Sequence, residues 1–145
     1  MTWDDLFGLA NMAAVVGWVV LIAAPRGHWW LDALPRLVLP VGLATLYSGL
    51  MLAYVFASGG GFGSIAQVRQ LFTSDPVLVA GWVHYLAFDL LVGSFVAARL
   101  DGAGVARLIQ APILFAIFML GPLGLLLGLL TETGARLRPL EKGLI

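Results

Sequence analysis

Four apolar runs, at about residues 6–25, 35–57, 77–98 and 108–130, take up most of this chain and leave little else to fold. A helix crosses the hydrocarbon of a bilayer in about 20 residues, and each run is that long. Backbone groups in lipid find no water, so runs of this kind must pair their N–H and C=O groups within a helix. The sequence therefore predicts an all-α protein, a four-helix transmembrane bundle with residues 1–145 as a single transmembrane domain. Composition agrees: 61% of residues are hydrophobic and 11% charged, against about a quarter charged in soluble domains. The mean hydropathy is +0.98. The start, Met1-Thr2-Trp3-Asp4-Asp5, is acidic, and the run after it is too long for a signal-peptide core, so it reads as a retained helix. Eight basic and eight acidic residues cancel, and without a basic patch nucleic acid is not an expected partner. The absence of cysteine excludes disulfides, thiolate metal sites and cysteine nucleophiles.

The links between the runs have their own signatures. Arg26 to Arg36 includes Trp29 and Trp30, residues suited to the headgroup level, with His28 as a wet loop histidine. The second helix opens at Pro35, and Pro40 inside it is expected to free the carbonyl of Arg36 and bend the helix. The glycine-rich loop 58–64 precedes an alternating stretch, 65–72, that reads as a short interfacial helix between helices 2 and 3. The fourth run carries Pro122 within Gly121-Pro122-Leu123-Gly124, expected to free the carbonyl of Phe118, and Gly124 and Gly128 as a small-xxx-small pair for close packing. The tail from Thr131, with Arg136, Arg138 and Lys142, reads as a basic surface anchor. With four spans the positive-inside rule does not choose an orientation, because the two sides tie in Lys and Arg.

The third run holds the chemistry. Asp89 falls near its middle and His84 about 7 Å away along the axis. An ionisable group at that depth costs on the order of 3 kcal/mol and is by default a functional candidate. On a helical wheel Trp82, Tyr85, Asp89 and Gly93 share one arc, flanked by His84, Phe88 and Val92. Val83, Leu86, Ala87, Leu90 and Leu91 fill the other side, expected to face lipid. Tyr85 and Asp89, four apart, can hydrogen-bond. His84 and Asp89 lie on different faces and could flank one ligand.

Two histidines without cysteine fall short of a metal's three or four ligands, and no serine elbow stands near His84 for a hydrolase. Away from water a carboxylic acid and an imidazole come closer in proton affinity, so acid–base chemistry fits these residues best. The competing reading makes Asp89, Tyr85 and Asn11 a satisfied polar network that fixes helix register. Asn11, on the first helix with Trp18 on its continuing face, is helix glue or a site residue. Tyr47 and Tyr54 are interface anchors, packing, or pocket walls.

Three sets of residues carry a resemblance: Gly81-Trp82-Val83-His84-Tyr85-Leu86-Ala87-Phe88-Asp89-Leu90 with Gly121-Pro122-Leu123-Gly124; Leu9-Ala10-Asn11 with Trp18 and Pro25; and Leu71-Phe72 with Pro76. Together they resemble the neoxanthin-synthase-like, or abscisic-acid-deficiency-four-like, family over nearly the whole chain. The resemblance implies a protein of a bacterial inner membrane or a plastid-type membrane that takes a carotenoid or similar polyene from the lipid. The implied reaction opens an epoxide to an allenic alcohol. It removes one proton and protonates the epoxide oxygen, with no cofactor. His84 and Asp89 are then the expected catalytic pair, with Tyr85 and Asn11 as hydrogen-bond partners. Trp18, Tyr47, Tyr54, Trp82, Phe88 and Pro122 are the expected substrate contacts. The alternatives are a non-enzymatic pigment-binding or assembly subunit, with a homo-oligomer or membrane-complex partner, and a small proton-coupled channel or transporter.

Overall fold

Helix α1 (Trp3–Ala23) starts on a reciprocal cap. Thr2 Oγ1 accepts from the Asp5 N–H at 3.1 Å, and Asp5 Oδ2 accepts from the Thr2 N–H at 2.7 Å. The two orphan donors at the helix start are thereby satisfied, and the acidic opening is a helix cap. The structure is a computed structural model that describes the backbone of residues 1–142 and side chains as far as Leu137. After α1 come α2 (Trp29–Ala33), α3 (Leu39–Tyr54), α4 (Ile65–Leu71), α5 (Asp75–Gly102), α6 (Arg107–Leu120) and α7 (Pro122–Lys142), with no strand among the described residues. The tail expected as a basic anchor lies partly outside what is described: α7 carries it to Lys142, and the side chains of Arg138 and Lys142 are beyond the described set.

The π-helical turn Leu34–Val38 joins α2 to α3. Its wider spacing places the Leu39 N–H on the carbonyl of Leu34. In that register the carbonyl left without a donor by Pro40 is that of Pro35, not Arg36 as the α-helical spacing predicts. Ser94 Oγ of α5 donates to it at 3.1 Å. The helical stretch Trp29–Ala57 is thus continuous, and three stretches, Trp3–Ala23, Trp29–Ala57 and Asp75–Gly102, are long and apolar enough to cross a membrane. The short helix expected at 65–72 forms as α4, capped by Ser64.

The fourth run does not form one span. It breaks at Gly121, where φ is +36°, a value that favours glycine, and Pro122 starts a new helix. A Cβ built on Gly124 would run into the backbone of Ala116 and Ile117, and one on Gly128 would meet Val96 at 2.5 Å and Ile113 at 3.5 Å. Residue numbers that fall on α6 as they rise on α7 mean that the chain doubles back. Helices α6 and α7 are therefore a tight antiparallel hairpin, not a kinked rod. At about 1.5 Å per residue α6 is about 21 Å long, short of the roughly 30 Å of hydrocarbon. The fourth span expected at 108–130 is corrected accordingly: Gly121-Pro122 is a turn, and Pro122 leads out of it.

Helix α5 is the axis of the assembly. It runs parallel to α1, with Trp82 against Asn11 and Gly93 against Trp18, and antiparallel to α3, with His84 against Tyr47 and Ser94 against Pro35. One core, made by α1, α3 and α5, gathers Ala10, Ala14, Leu43, Val83 and Ala87. The other gathers Trp18, Leu21, Leu90, Leu100, Leu114 and Ile117, and there α6 takes part. The hairpin fills only the half of the bundle near the α5–α6 turn. Its base is tied down by Glu132, 3% exposed, whose carboxylate accepts from Arg99 of α5 and from Arg136.

Candidate functional site

Three of the five α5 residues that read as lipid-facing are in fact buried, while Leu86 is half-buried and Leu91 exposed. Val83 and Leu90 are fully buried and Ala87 nearly so. The aromatic arc looks outward instead: Trp82, Tyr85 and Phe88 are 44%, 64% and 53% exposed. The reason is size. Small and branched residues let α1 and α3 close on α5, so that Leu90 comes against Gly17, and bulky rings are left on the flanks.

Asp89 sits at the border of these faces, half-buried, with its carboxylate against the hairpin turn. A Cβ on Gly121 would lie 2.8 Å from Asp89 Oδ1. The hairpin therefore turns at the depth of the carboxylate. Around it lies a cavity of about 370 Å³ whose lining includes Asn11 and Val15 of α1, Trp82, Tyr85 and Asp89 of α5, and Phe118 and Met119 of the last turn of α6. Val15 and Phe118 also wall a groove of about 270 Å³ between α1 and α6, lined further by Trp18, Val19, Ile22 and Phe115. A carboxylate thus stands in a largely apolar cavity beside an apolar groove.

His84 belongs elsewhere. It opens onto a separate cavity of about 250 Å³ with Tyr47 and Met51 of α3 and Phe62 and Phe72 around α4. Its ring stacks on Phe88 at 4.5 Å between centroids and tilts against Tyr47 at 5.3 Å. Tyr85 lines both cavities and stands between the two groups. His84 and Asp89, expected to flank one ligand, line different cavities. The Tyr85–Asp89 hydrogen bond is not among those formed by the described residues. Asn11 lines the Asp89 cavity and also ties α1 to α5: its Oδ1 accepts from Trp82 Nε1 at 2.9 Å and its Nδ2 donates to the Phe7 carbonyl at 3.1 Å.

The other expected contacts divide. Trp18, 3% exposed, is mainly core, with one edge on the groove. Tyr54 packs edge-on to Trp3 at 5.6 Å, at the far end of α3 from its start. Pro122 is exposed just past the turn. Phe118, Met119 and Gly121 were not singled out as site residues. The Gly-Pro pair, a turn signal inside an apolar run, is what could have brought them in.

Residues 5–127 match the family model described as ABA DEFICIENT 4-like. The chain belongs to the ABA4-like family. No similar curated protein and no similar solved structure was found. The match takes in Asn11, the whole of α5 and the hairpin turn, so both cavities of this ABA4-like chain lie within the family's extent. With three helices long and apolar enough to cross a bilayer, it is a membrane protein of that family. Among the described residues no cluster of His, Cys, Asp or Glu could hold a metal.

Proposed function

We propose that this ABA4-like protein draws a carotenoid or similar polyene from the bilayer into the α1–α6 groove and isomerises it by proton transfer at Asp89. The observation that carries the reading is the placing of one carboxylate in a largely apolar cavity that shares two walls, Val15 and Phe118, with an apolar groove between α1 and α6. For an epoxide-bearing end group the balance is simple. Asp89, ionised, takes the proton lost from carbon as the C–O bond of the epoxide breaks. The oxygen gains a proton from the Tyr85 hydroxyl, which lines the same cavity. Return of the proton from Asp89 to the phenolate resets the site, so no oxidant or reductant is needed. Because His84 lies on the other cavity, this assignment gives it no proton-transfer role. A non-enzymatic pigment-binding role would use the same groove. Transport is less favoured, because Asp89 and His84 open onto different cavities.

The test is a pigment extract of purified protein, followed by incubation with an epoxy-carotenoid and product analysis. The native chain should retain polyene and form product. Asp89→Asn should retain the polyene and lose product, and a bulky Val15→Trp, which fills the groove, should lose both. Retention without product in the native chain would leave only the binding role. Absence of any polyene, or full activity in Asp89→Asn, would overturn the proposal.

A further inference from the structure

The hairpin breaks the tie in the distribution of charge. If the fourth run crossed the bilayer, the tail would lie on the side of the N-terminus. Because α7 returns, Arg136 lies at the same end as Arg26, Arg36, Arg99 and Arg107, while Arg69 of α4 is the one Lys or Arg at the opposite end among the described residues. Asp4, Asp5 and Asp75 share that opposite end with Arg69. Asp32, Asp101 and Glu132 lie at the basic end as well, so a chain with no formal net charge carries a net excess of positive charge at one end and of negative charge at the other.

The basic end also has guanidinium groups with donors to spare. Arg107 is occupied, donating to the Ala24 and Ile22 carbonyls at 2.7 and 2.6 Å and capping α1. Arg26 has one acidic partner, Asp101, at 3.1 Å, and that carboxylate is shared with Gln110. Arg36 reaches only Asp32, at 4.0 Å. Arg26 Nη2 and Arg36 Nε are out of solvent and have no hydrogen-bond partner. Burial first, and the neighbouring Arg107 and Arg36 after it, hold Arg26 below the usual arginine range against the pull of Asp101. Arg36 and Arg107 crowd Arg26 beside two carboxylates, and an added anion at the exposed edges of Arg26 and Arg36 relieves that repulsion. Trp29 and Trp30, 82% and 57% exposed, mark this level as the headgroup layer.

We propose that the end of the bundle bearing Arg26 and Arg36 binds phosphate headgroups of anionic lipids in the cytoplasmic leaflet, holding the start of α1 outside, the end of α7 inside, and the α6–α7 hairpin as a re-entrant element. Charge complementarity carries the choice of partner: the cytoplasmic leaflet is the anionic one, and Lys and Arg are retained on that side. The inference does not depend on the proposed catalysis.

Because the chain has no cysteine, single thiols report sidedness directly. Ser64→Cys, Gly102→Cys and Gly134→Cys place them at exposed positions. In oriented membrane vesicles an impermeant maleimide should reach Gly102→Cys and Gly134→Cys only from the cytoplasmic face and Ser64→Cys only from the other. Labelling of Gly102→Cys and Gly134→Cys from opposite faces would overturn the re-entrant hairpin, and labelling of both from outside would overturn the orientation. In vesicles of phosphatidylcholine with a minor share of spin-labelled phosphatidylglycerol, the protein should enrich the anionic lipid around itself. Arg26→Gln and Arg36→Gln should each reduce that enrichment about fivefold, and high salt should abolish it in the native chain. Enrichment that ignores both salt and the two substitutions would refute the headgroup site.

Discussion

Replacing Gly124 by alanine reads out the hairpin through the sign of its effect. In a straight spanning helix Gly→Ala removes backbone entropy from the unfolded chain and gains about 0.5–1 kcal/mol. In the hairpin the new methyl has nowhere to go, because its neighbours are the backbone nitrogen of Ile117 and the backbone carbon of Ala116. Backbone cannot rotate out of the way as a side chain can, so the two helices must part. Overpacking of this kind costs about 1–3 kcal/mol. At about 3 °C per kcal/mol for a chain of this size, Gly124→Ala should lower the melting temperature by roughly 3–9 °C. Gly134 supplies the control. A Cβ there meets nothing within 4 Å, and Gly134→Ala should raise the melting temperature by about 2–3 °C. Gly128→Ala, facing the side chains of Val96 and Ile113, should fall between the two. The assay is thermal unfolding in one detergent, followed by circular dichroism. If Gly124→Ala and Gly134→Ala both stabilise, α6 and α7 do not fold back on each other. The depth of the turn, its meeting with Asp89 and the orientation drawn from it would then fall together.

Three further outcomes follow from particular contacts. Hydrogen bonds from Arg99 first, and from Arg136, hold the Glu132 carboxyl below the usual glutamate range. The stability this latch contributes is therefore present above about pH 4.3 and lost as pH falls through the lowered value. A pH series of melting temperatures should show an acid loss in the native chain that is smaller in Glu132→Gln. Trp82→Phe deprives Asn11 Oδ1 of its donor and should cost about 0.6 kcal/mol in the same unfolding assay, the average for bonds between membrane helices. Ser94→Ala leaves the Pro35 carbonyl without a partner and should cost about 1–3 kcal/mol. Ser94→Thr, which keeps a hydroxyl, should recover part of that.

Much of the fold was legible because length and hydropathy are enough to place apolar helices. The three long apolar helical stretches at α1, α2–α3 and α5 and the short helix α4 all follow from local rules. The break at Gly121 was harder, because a proline inside a long apolar run is also what a kinked span looks like. What separates the two readings is a contact between residues far apart, Gly124 against Ile117 and Gly128 against Ile113, which no local pattern contains. The register of the π turn was hidden for the same reason: Ser94, on another helix, completes it.

The reversal of the α5 faces has a physical cause that a polarity wheel does not contain. In water a helix buries its apolar side, so polarity identifies the interior. In a bilayer both sides are apolar, and the interior goes to the side that packs closest. On α5 that side is Val83, Ala87 and Leu90, and on α1 it is Ala10, Ala14 and Gly17. These residues mark the seam of closest approach, where Gly17 meets Leu90, and the rings of Trp82, Tyr85 and Phe88 are left to line the flanking cavities. A polar group on such a flank needs neither full burial nor exposure to lipid, because it can stand in a groove between helices. Asp89 does so: α5 carries it to mid-depth, and the hairpin turn at Gly121 shields one side of its carboxylate. Its other side faces the cavity that shares Val15 and Phe118 with the groove along α1 and α6. The broken fourth run and the accessible carboxylate are thus one feature, since a continuous fourth span would carry backbone past Asp89 where this cavity now lies.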